Sequence, residues 1–340
     1  MDCEYAGDVS GLECALSRMT EAVCGLLVGC RPSVYLYGSA VSGDFRLGWS
    51  DLDVLVLTRE PIPPSAAEAL VSLRQTMTAA EPDNVYYRLF EGGMLPLRNL
   101  LSGEPTRAVY WGTSGQRLTD GYALDAFGRL QLRGQGRLLA GEELRGLLPP
   151  PSYAELRDAV AAHLKAVRRY AAVTGRSLYS FGWLLDVARG IYTIRTGRVA
   201  SKTDAGRWAL QNALCPDPEL LETALCVREA PLRLRDDPRT LDLAESLGDA
   251  VQRFADVLEE ALRNGEIAAA AVDVFETEPL PADSPLWDLE NLVITPHSSG
   301  FYHLPATLER VVDICAKNLS AYLNGGELMN VVDFKTGYKK

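Results

Sequence analysis

The chain has 340 residues, 47% of them hydrophobic and 23% charged, with a formal net charge of −11. That is the composition of a globular protein with room for two domains and a fragment, and it lacks the basic surface a duplex nucleic acid demands. The acidic opening MDCEYAGD is unlike a signal peptide, no apolar run approaches the ~18 residues of a membrane span, and seven cysteines without a CxxC pair read as reduced thiols. We therefore expect a cytoplasmic protein with no membrane and no nucleic-acid partner.

Leu12, Leu16, Met19, Val23 and Leu26 recur at helical spacing and predict a helix over 11–29, followed by a short strand at SVYLYGS. LDVLVLT is predicted as the second strand. Past the breaker EPIPP, Ser65 and Glu68 have the spacing of a capping box and open a predicted helix to about 79. NVYYRLFE predicts a third strand, with Val85, Tyr87, Leu89 and Glu91 on one face. GLLPPPS at 146–152 marks a boundary, after which Ser152 and Glu155 form a second capping box ahead of the stripe Leu156, Val160, Leu164 and Val167. Helices are further predicted at 178–196, 203–214 and 240–264. From Gly265 onward, two strand-like runs flank a proline-rich loop, and a helix closes the chain at roughly 305–324.

Asp51 and Asp53 stand at the mouth of the apolar run that forms the second strand. Two residues apart on a strand, they share a face, and at an effective dielectric near 20 their repulsion is on the order of 2–3 kcal/mol. A hard divalent cation would turn that repulsion into coordination, and Mg²⁺ commonly completes its shell with substrate phosphates. Upstream, Gly38 and Ser39 form a tight turn after a strand, which can offer backbone N–H groups and a hydroxyl to a triphosphate. Glu91 is a carboxylate on an otherwise apolar strand face, partly desolvated and suited to proton abstraction.

This arrangement, Gly-Ser, then about a dozen residues, then Asp-x-Asp running into an apolar strand, resembles the nucleotidyltransferase superfamily that includes the aminoglycoside adenylyltransferases. The likeness extends over about residues 10–262, because WLLDVARGIYTIRTGRVASKTDAGRWAL looks like that family's helix–loop–helix segment. The resemblance implies an α+β fold: a nucleotidyltransferase-like mixed sheet with helices at 1–148, then an all-α substrate-binding domain at 149–264. It implies Mg²⁺ on Asp51 and Asp53, ATP held by Gly38, Ser39 and Lys202, and Glu91 as general base. The implied reaction is transfer of AMP from ATP to a hydroxyl of a small molecule, with release of pyrophosphate. Arg207, just before Trp208, departs from the family's acidic acceptor contacts, and a cation there disfavours a cationic sugar. The resemblance implies an aminoglycoside as acceptor, and this departure points to another hydroxylated antibiotic or metabolite as the alternative. Asp186 is open to two readings, an acceptor contact or a helix-internal partner of Arg189.

AAVDVFETEPLPADSPLWDLENLVITPHSSG resembles a different family, the D-isomer-specific 2-hydroxyacid dehydrogenases, over roughly 258–333. Glu278 and His297 occupy that family's acid/base positions, so 265–340 reads as a truncated, dehydrogenase-like α/β extension. The Gly-x-Gly-x-x-Gly loop for NAD is missing; RGQGRLL offers only Gly134 and Gly136. The extension is open to three readings: an inert remnant, a packing or oligomer surface, or a redox segment working with a partner chain. An NAD oxidoreductase and a non-catalytic nucleotide-binding protein stand as the alternative functions.

Overall fold

The computed structural model describes residues 9–102, 107–112, 115–263 and, beyond these, 270–273, 280–282, 284, 287, 292–295 and 305–331. It forms two compact units, Met1–Ala268 and Ala269–Lys340. No helix among the described residues is long and apolar enough to cross a membrane.

The first unit opens with α1 (Val9–Leu26), β1 (Pro32–Tyr37), the single turn α2 (Ser39–Ser42), β2 (Leu52–Thr58) and α3 (Pro64–Ala80). Then come β3 (Phe90–Pro96), α4 (Leu97–Ser102), β4 (Ala108–Gly112), β5 (Gly115–Thr119), α5 (Ala126–Gln135) and β6 (Arg137–Ala140). The six strands make one mixed sheet in the order β5-β4-β3-β2-β1-β6, in which β2 and β3 run parallel and every other pair is antiparallel. The parallel pair requires a crossover, and α3 supplies it.

Alternation along the central strands feeds two cores. Val34, Leu36, Leu52, Val54 and Val56 point into the layer under α1 and α3, while Tyr35, Tyr37, Leu55 and Leu57 pack on the opposite face with Leu95 and Leu132. Asp53 and Glu91 fall on that second face, at the end where its apolar packing gives out.

A helical layer follows: α6 (Tyr153–Ala171), α7 (Tyr179–Thr196), α8 (Lys202–Gln211), α9 (Pro218–Glu229), α10 (Pro231–Leu234), α11 (Pro238–Ser246) and α12 (Gly248–Arg263). Its core centres on α7, which buries Phe181, Leu184, Leu185, Ile191 and Ile194 against α6, α9 and α12. The buried residues before and after residue 148 fall largely into separate clusters, but Trp49 packs in the helical one, and all lie inside one compact unit. In the second unit, β7 (Ala270–Val272) and β8 (Leu292–Ile294) pair in parallel, and α13 (Pro305–Leu323) follows.

Several expectations need correction. Residues Val85–Leu89 form a 3₁₀ helix, not a strand: Asn84 caps it by accepting from the Tyr86 N–H, and both Tyr86 and Tyr87 are buried. The strand comes later and includes Gly92 and Gly93, so Glu91 is its second residue rather than its end. Only glycine fits at Gly92, where φ is +146° and a Cβ would collide with the Val54 carbonyl oxygen of the neighbouring strand. The Ser65–Glu68 capping box does not form, because Pro64 takes the first helical position. At Ser152–Glu155 both bonds of the capping box are present. The helix expected over 240–264 is two helices, α11 and α12, and α9 was not anticipated. Gly134 and Gly136 lie where a helix runs into a strand, the reverse of a dinucleotide loop.

Candidate active site

The sheet register brings the acids together. On the parallel pair Asp53 is the direct partner of Glu91, and on the antiparallel side it faces Tyr37. Asp51 sits just before β2, and Gly38 and Ser39 turn the chain over Asp53 so closely that a Cβ on Gly38 would strike the Asp53 carboxylate. Gly38 has φ +73°, which again favours glycine.

All three carboxylates line a cleft of about 630 Å³ whose opposite wall is helical. Burial, then the neighbouring acids, pushes Asp53 up to about 7 and Asp51 up to about 6, while Lys202 pulls both back. The nearby cations, Arg189, Lys202 and Arg74, only partly offset the burial and crowding of these acids. Among the described residues no set of three or more Asp, Glu, His or Cys side chains forms a complete metal centre. Two hard carboxylates fit Mg²⁺ if phosphate and water supply its remaining ligands.

Glu91 is held from two sides. Tyr110, on β4, donates its hydroxyl to Glu91 Oε1 at 2.8 Å, and Arg117 of the facing strand β5 lies 4.8 Å from the Tyr110 ring centroid. Arg74 of α3 ties down the backbone on either side by donating to the carbonyls of Phe90 (2.6 Å) and Gly112 (2.9 Å).

Lys202, the first residue of α8, reaches the cleft from the helical wall. Its ammonium lies 2.9 Å from Asp186 Oδ1 and 3.0 Å from Oδ2, and Arg189 (3.6 Å) and His163 (3.7 Å) also approach that carboxylate. Burial alone would raise the Asp186 pKa, but Lys202 foremost, then the His163 hydrogen bond and Arg189, hold it well below the usual carboxylate range. The open reading of Asp186 therefore resolves as a buried ion partner, with Lys202 joining Arg189. Arg207, by contrast, does not line the cleft and pairs with Glu229 at 2.5 Å, so it does not confront an acceptor there as expected.

A buried junction missed in the sequence joins the two walls. Asp44, from the turn after α2, accepts from the Thr203 hydroxyl at 2.6 Å and from Arg228 Nη2 at 2.8 Å, and Arg228 also donates to the Asp44 carbonyl at 3.0 Å. All three residues are buried. Burial works to raise Asp44, yet Arg228 and Thr203 outweigh it and keep the carboxyl below its ordinary range. Thr203 follows Lys202 directly, so this junction fixes the lysine relative to the sheet. Nothing in the sequence marks Asp44 or Arg228 as buried, since both are surface residue types by habit. Glu278 and His297 lie outside the described residues.

Comparison with known proteins matches three stretches of the chain. Residues 16–85 match the nucleotidyltransferase domain, 146–237 the aminoglycoside adenylyltransferase C-terminal domain, and 248–299 the NAD-binding domain of D-isomer-specific 2-hydroxyacid dehydrogenases. The fold over 72% of the chain matches 98% of a spectinomycin adenyltransferase from Enterococcus faecialis, crystallised with ATP and spectinomycin, with a TM-score of 0.56 at 16% identity. Curated relatives include a glyoxylate reductase of Korarchaeum cryptofilum, 41% identical over 102 residues, which covers 30% of each chain. A glyoxylate/hydroxypyruvate reductase B of Pectobacterium atrosepticum is 47% identical over 81 residues, covering 23% of this chain and 24% of its own. The chain thus spans less than a third of the length of these reductases. The chain thus resembles, in order, a nucleotidyltransferase domain, the C-terminal domain of aminoglycoside adenylyltransferases and a piece of the 2-hydroxyacid dehydrogenases, and the first two stretches share a fold with a solved adenyltransferase.

Proposed function

We propose that the first unit is a Mg²⁺-dependent nucleotidyltransferase that moves AMP from ATP to a hydroxyl of a small molecule. The observation that carries this reading is the register pairing of Asp53 with Glu91, beside Asp51 and across one cleft from Lys202. Asp51 and Asp53 would hold Mg²⁺, which when bound supplies positive charge against the phosphates. The Gly38-Ser39 turn and Lys202 hold the triphosphate. Glu91, oriented by Tyr110, takes the proton of the acceptor hydroxyl. The freed oxygen attacks the α-phosphorus in line, the bond from that phosphorus to the bridging oxygen breaks, and pyrophosphate leaves with its charge met by Lys202.

Pyrophosphate release from Mg²⁺-ATP, measured with and without a panel of hydroxylated antibiotics and metabolites, tests the proposal. Asp53→Ala is expected to abolish Mg²⁺-dependent ATP binding in calorimetry, and unchanged affinity would overturn the metal role. Glu91→Gln is expected to bind ATP normally and to lose transfer by roughly 10²–10⁴-fold. A fully active Glu91→Gln protein would remove Glu91 as the base.

A further inference from the structure

Resting on the transferase reading, we infer that the acceptor part of the cleft takes a hydroxylated molecule with a flat apolar ring face and no more than one positive charge, not a polycationic aminosugar. Two independent features of the cleft point the same way.

The first is the distribution of charge. On the helical wall, Arg228 is neutralised by Asp44, and Arg189 and Lys202 share one carboxylate among the described lining residues, Asp186, which leaves one positive charge in excess. That carboxylate is buried and enclosed by Lys202, Arg189 and His163. On the sheet wall, Asp44 is spent on Arg228 and Thr203, and Asp51, Asp53 and Glu91 are committed to the reaction. Asp125 is left, exposed at the rim, where it accepts from the Gly128 N–H at 2.7 Å as the cap of α5. One carboxylate can receive one ammonium group; several would meet the cations of the helical wall.

The second feature is a row of rings. Tyr179 and Trp183, one turn apart on α7, both line the cleft. Tyr179 is 62% exposed and packs beside Trp49 with ring centroids 6.3 Å apart. Trp183 stacks on Tyr170 at 5.9 Å with an interplanar angle of 14°. Tyr179 and Trp183 line the same cleft as Asp51 and Glu91, which sets this aromatic wall in the space where the acids converge. Rings left open to water on a cleft wall gain by being covered, and a flat ring covers them best.

Calorimetry on the full chain, with Mg²⁺ and α,β-methylene-ATP bound, tests the inference using 4-nitrophenyl β-D-glucopyranoside, methyl β-D-glucopyranoside and neamine. The aryl glucoside is expected to bind about tenfold tighter than either of the others. Trp183→Ala should erase most of that advantage while leaving the affinity for the nucleotide analogue unchanged. Tyr179→Ala, at a more exposed position, repeats the test should Trp183→Ala fail to fold. Neamine binding as tightly as the aryl glucoside, no measurable binding of the aryl glucoside, or an aryl advantage that survives both substitutions would overturn the inference and leave the transferase reading standing. Failure to bind the nucleotide analogue at all would bring down the transferase reading itself, and this inference with it.

Discussion

Helices α12 and α13 are both amphipathic, α12 the more strongly, and have opposite fates. In α12 the apolar stripe, Val251, Phe254, Ala255 and Leu258 among it, is buried against α6 and α7. In α13 Val312, Leu319, Tyr322 and Leu323 are between 58% and 73% exposed. Periodicity specifies a helix, but only a neighbouring apolar face turns it into core. The match to the dehydrogenase family starts at residue 248, the first residue of α12. The junction between the two resemblances therefore runs through a helix the first unit needs, and not through a linker.

Ending the chain at residue 247 attacks that comparison most directly. It removes the buried side chains of α12, each worth roughly 1.5–3 kcal/mol for the larger ones, a sum comparable with the ~5–15 kcal/mol that holds a domain folded. The expected result is loss of a cooperative thermal transition in circular dichroism, whereas a chain ending at 263 should melt cooperatively and bind ATP as the full chain does. A sharp transition for the shorter chain would show that α12 is as dispensable as the comparison makes α13.

Arg228→Ala leaves the Asp44 carboxylate buried without its partner and should cost about 3–5 kcal/mol in urea unfolding. A loss below about 1 kcal/mol would mean that the two walls of the cleft are joined by other contacts. Asp53→Asn should act in the other direction. The folded protein holds a proton on Asp53 up to about pH 7, whereas the unfolded carboxyl releases it near 4. Without metal, the native Asp53 therefore costs stability increasingly as pH rises from about 4 to about 7, and the cost is constant above that. The asparagine variant should be more stable by about 1–3 kcal/mol at pH 8, with a smaller gain at pH 5. A gain independent of pH would remove the charge-crowding explanation. Leu319→Glu in α13 is expected to change the melting free energy by less than about 0.5 kcal/mol, the value for an exposed site; a larger loss would show that this face is covered in solution.

Legibility in the sequence followed the same division between pattern and partner. The strand carrying Asp53 was readable because its apolar residues run unbroken and are buried on both faces of the sheet. The strand carrying Glu91 was displaced by one element, since VYYRL alternates well and FEGGMLP contains two residues of poor strand propensity. What decides the matter is pairing with β2, and no window along the chain contains it. The start of α9 did carry a usable signal, Asp217 followed by Pro218 at the first helical position. Asp44, Arg228 and Arg74 carried none, because a buried ion pair or a guanidinium bound to carbonyls looks locally like any surface charge.

The pairing of Asp53 with Glu91 has a consequence for how this kind of protein can change over time. Their alignment is set by the hydrogen-bond ladder between two adjacent parallel strands, not by the 37 residues of chain that separate them. Insertions or deletions in the exposed parts of the crossover between residues 58 and 90, clear of Leu70, Arg74 and Tyr87, would leave that ladder in place. The interval between the second and third acids is thus free to drift in length while the chemistry stays fixed, so a search for kindred chains should score the two strands and let the gap float.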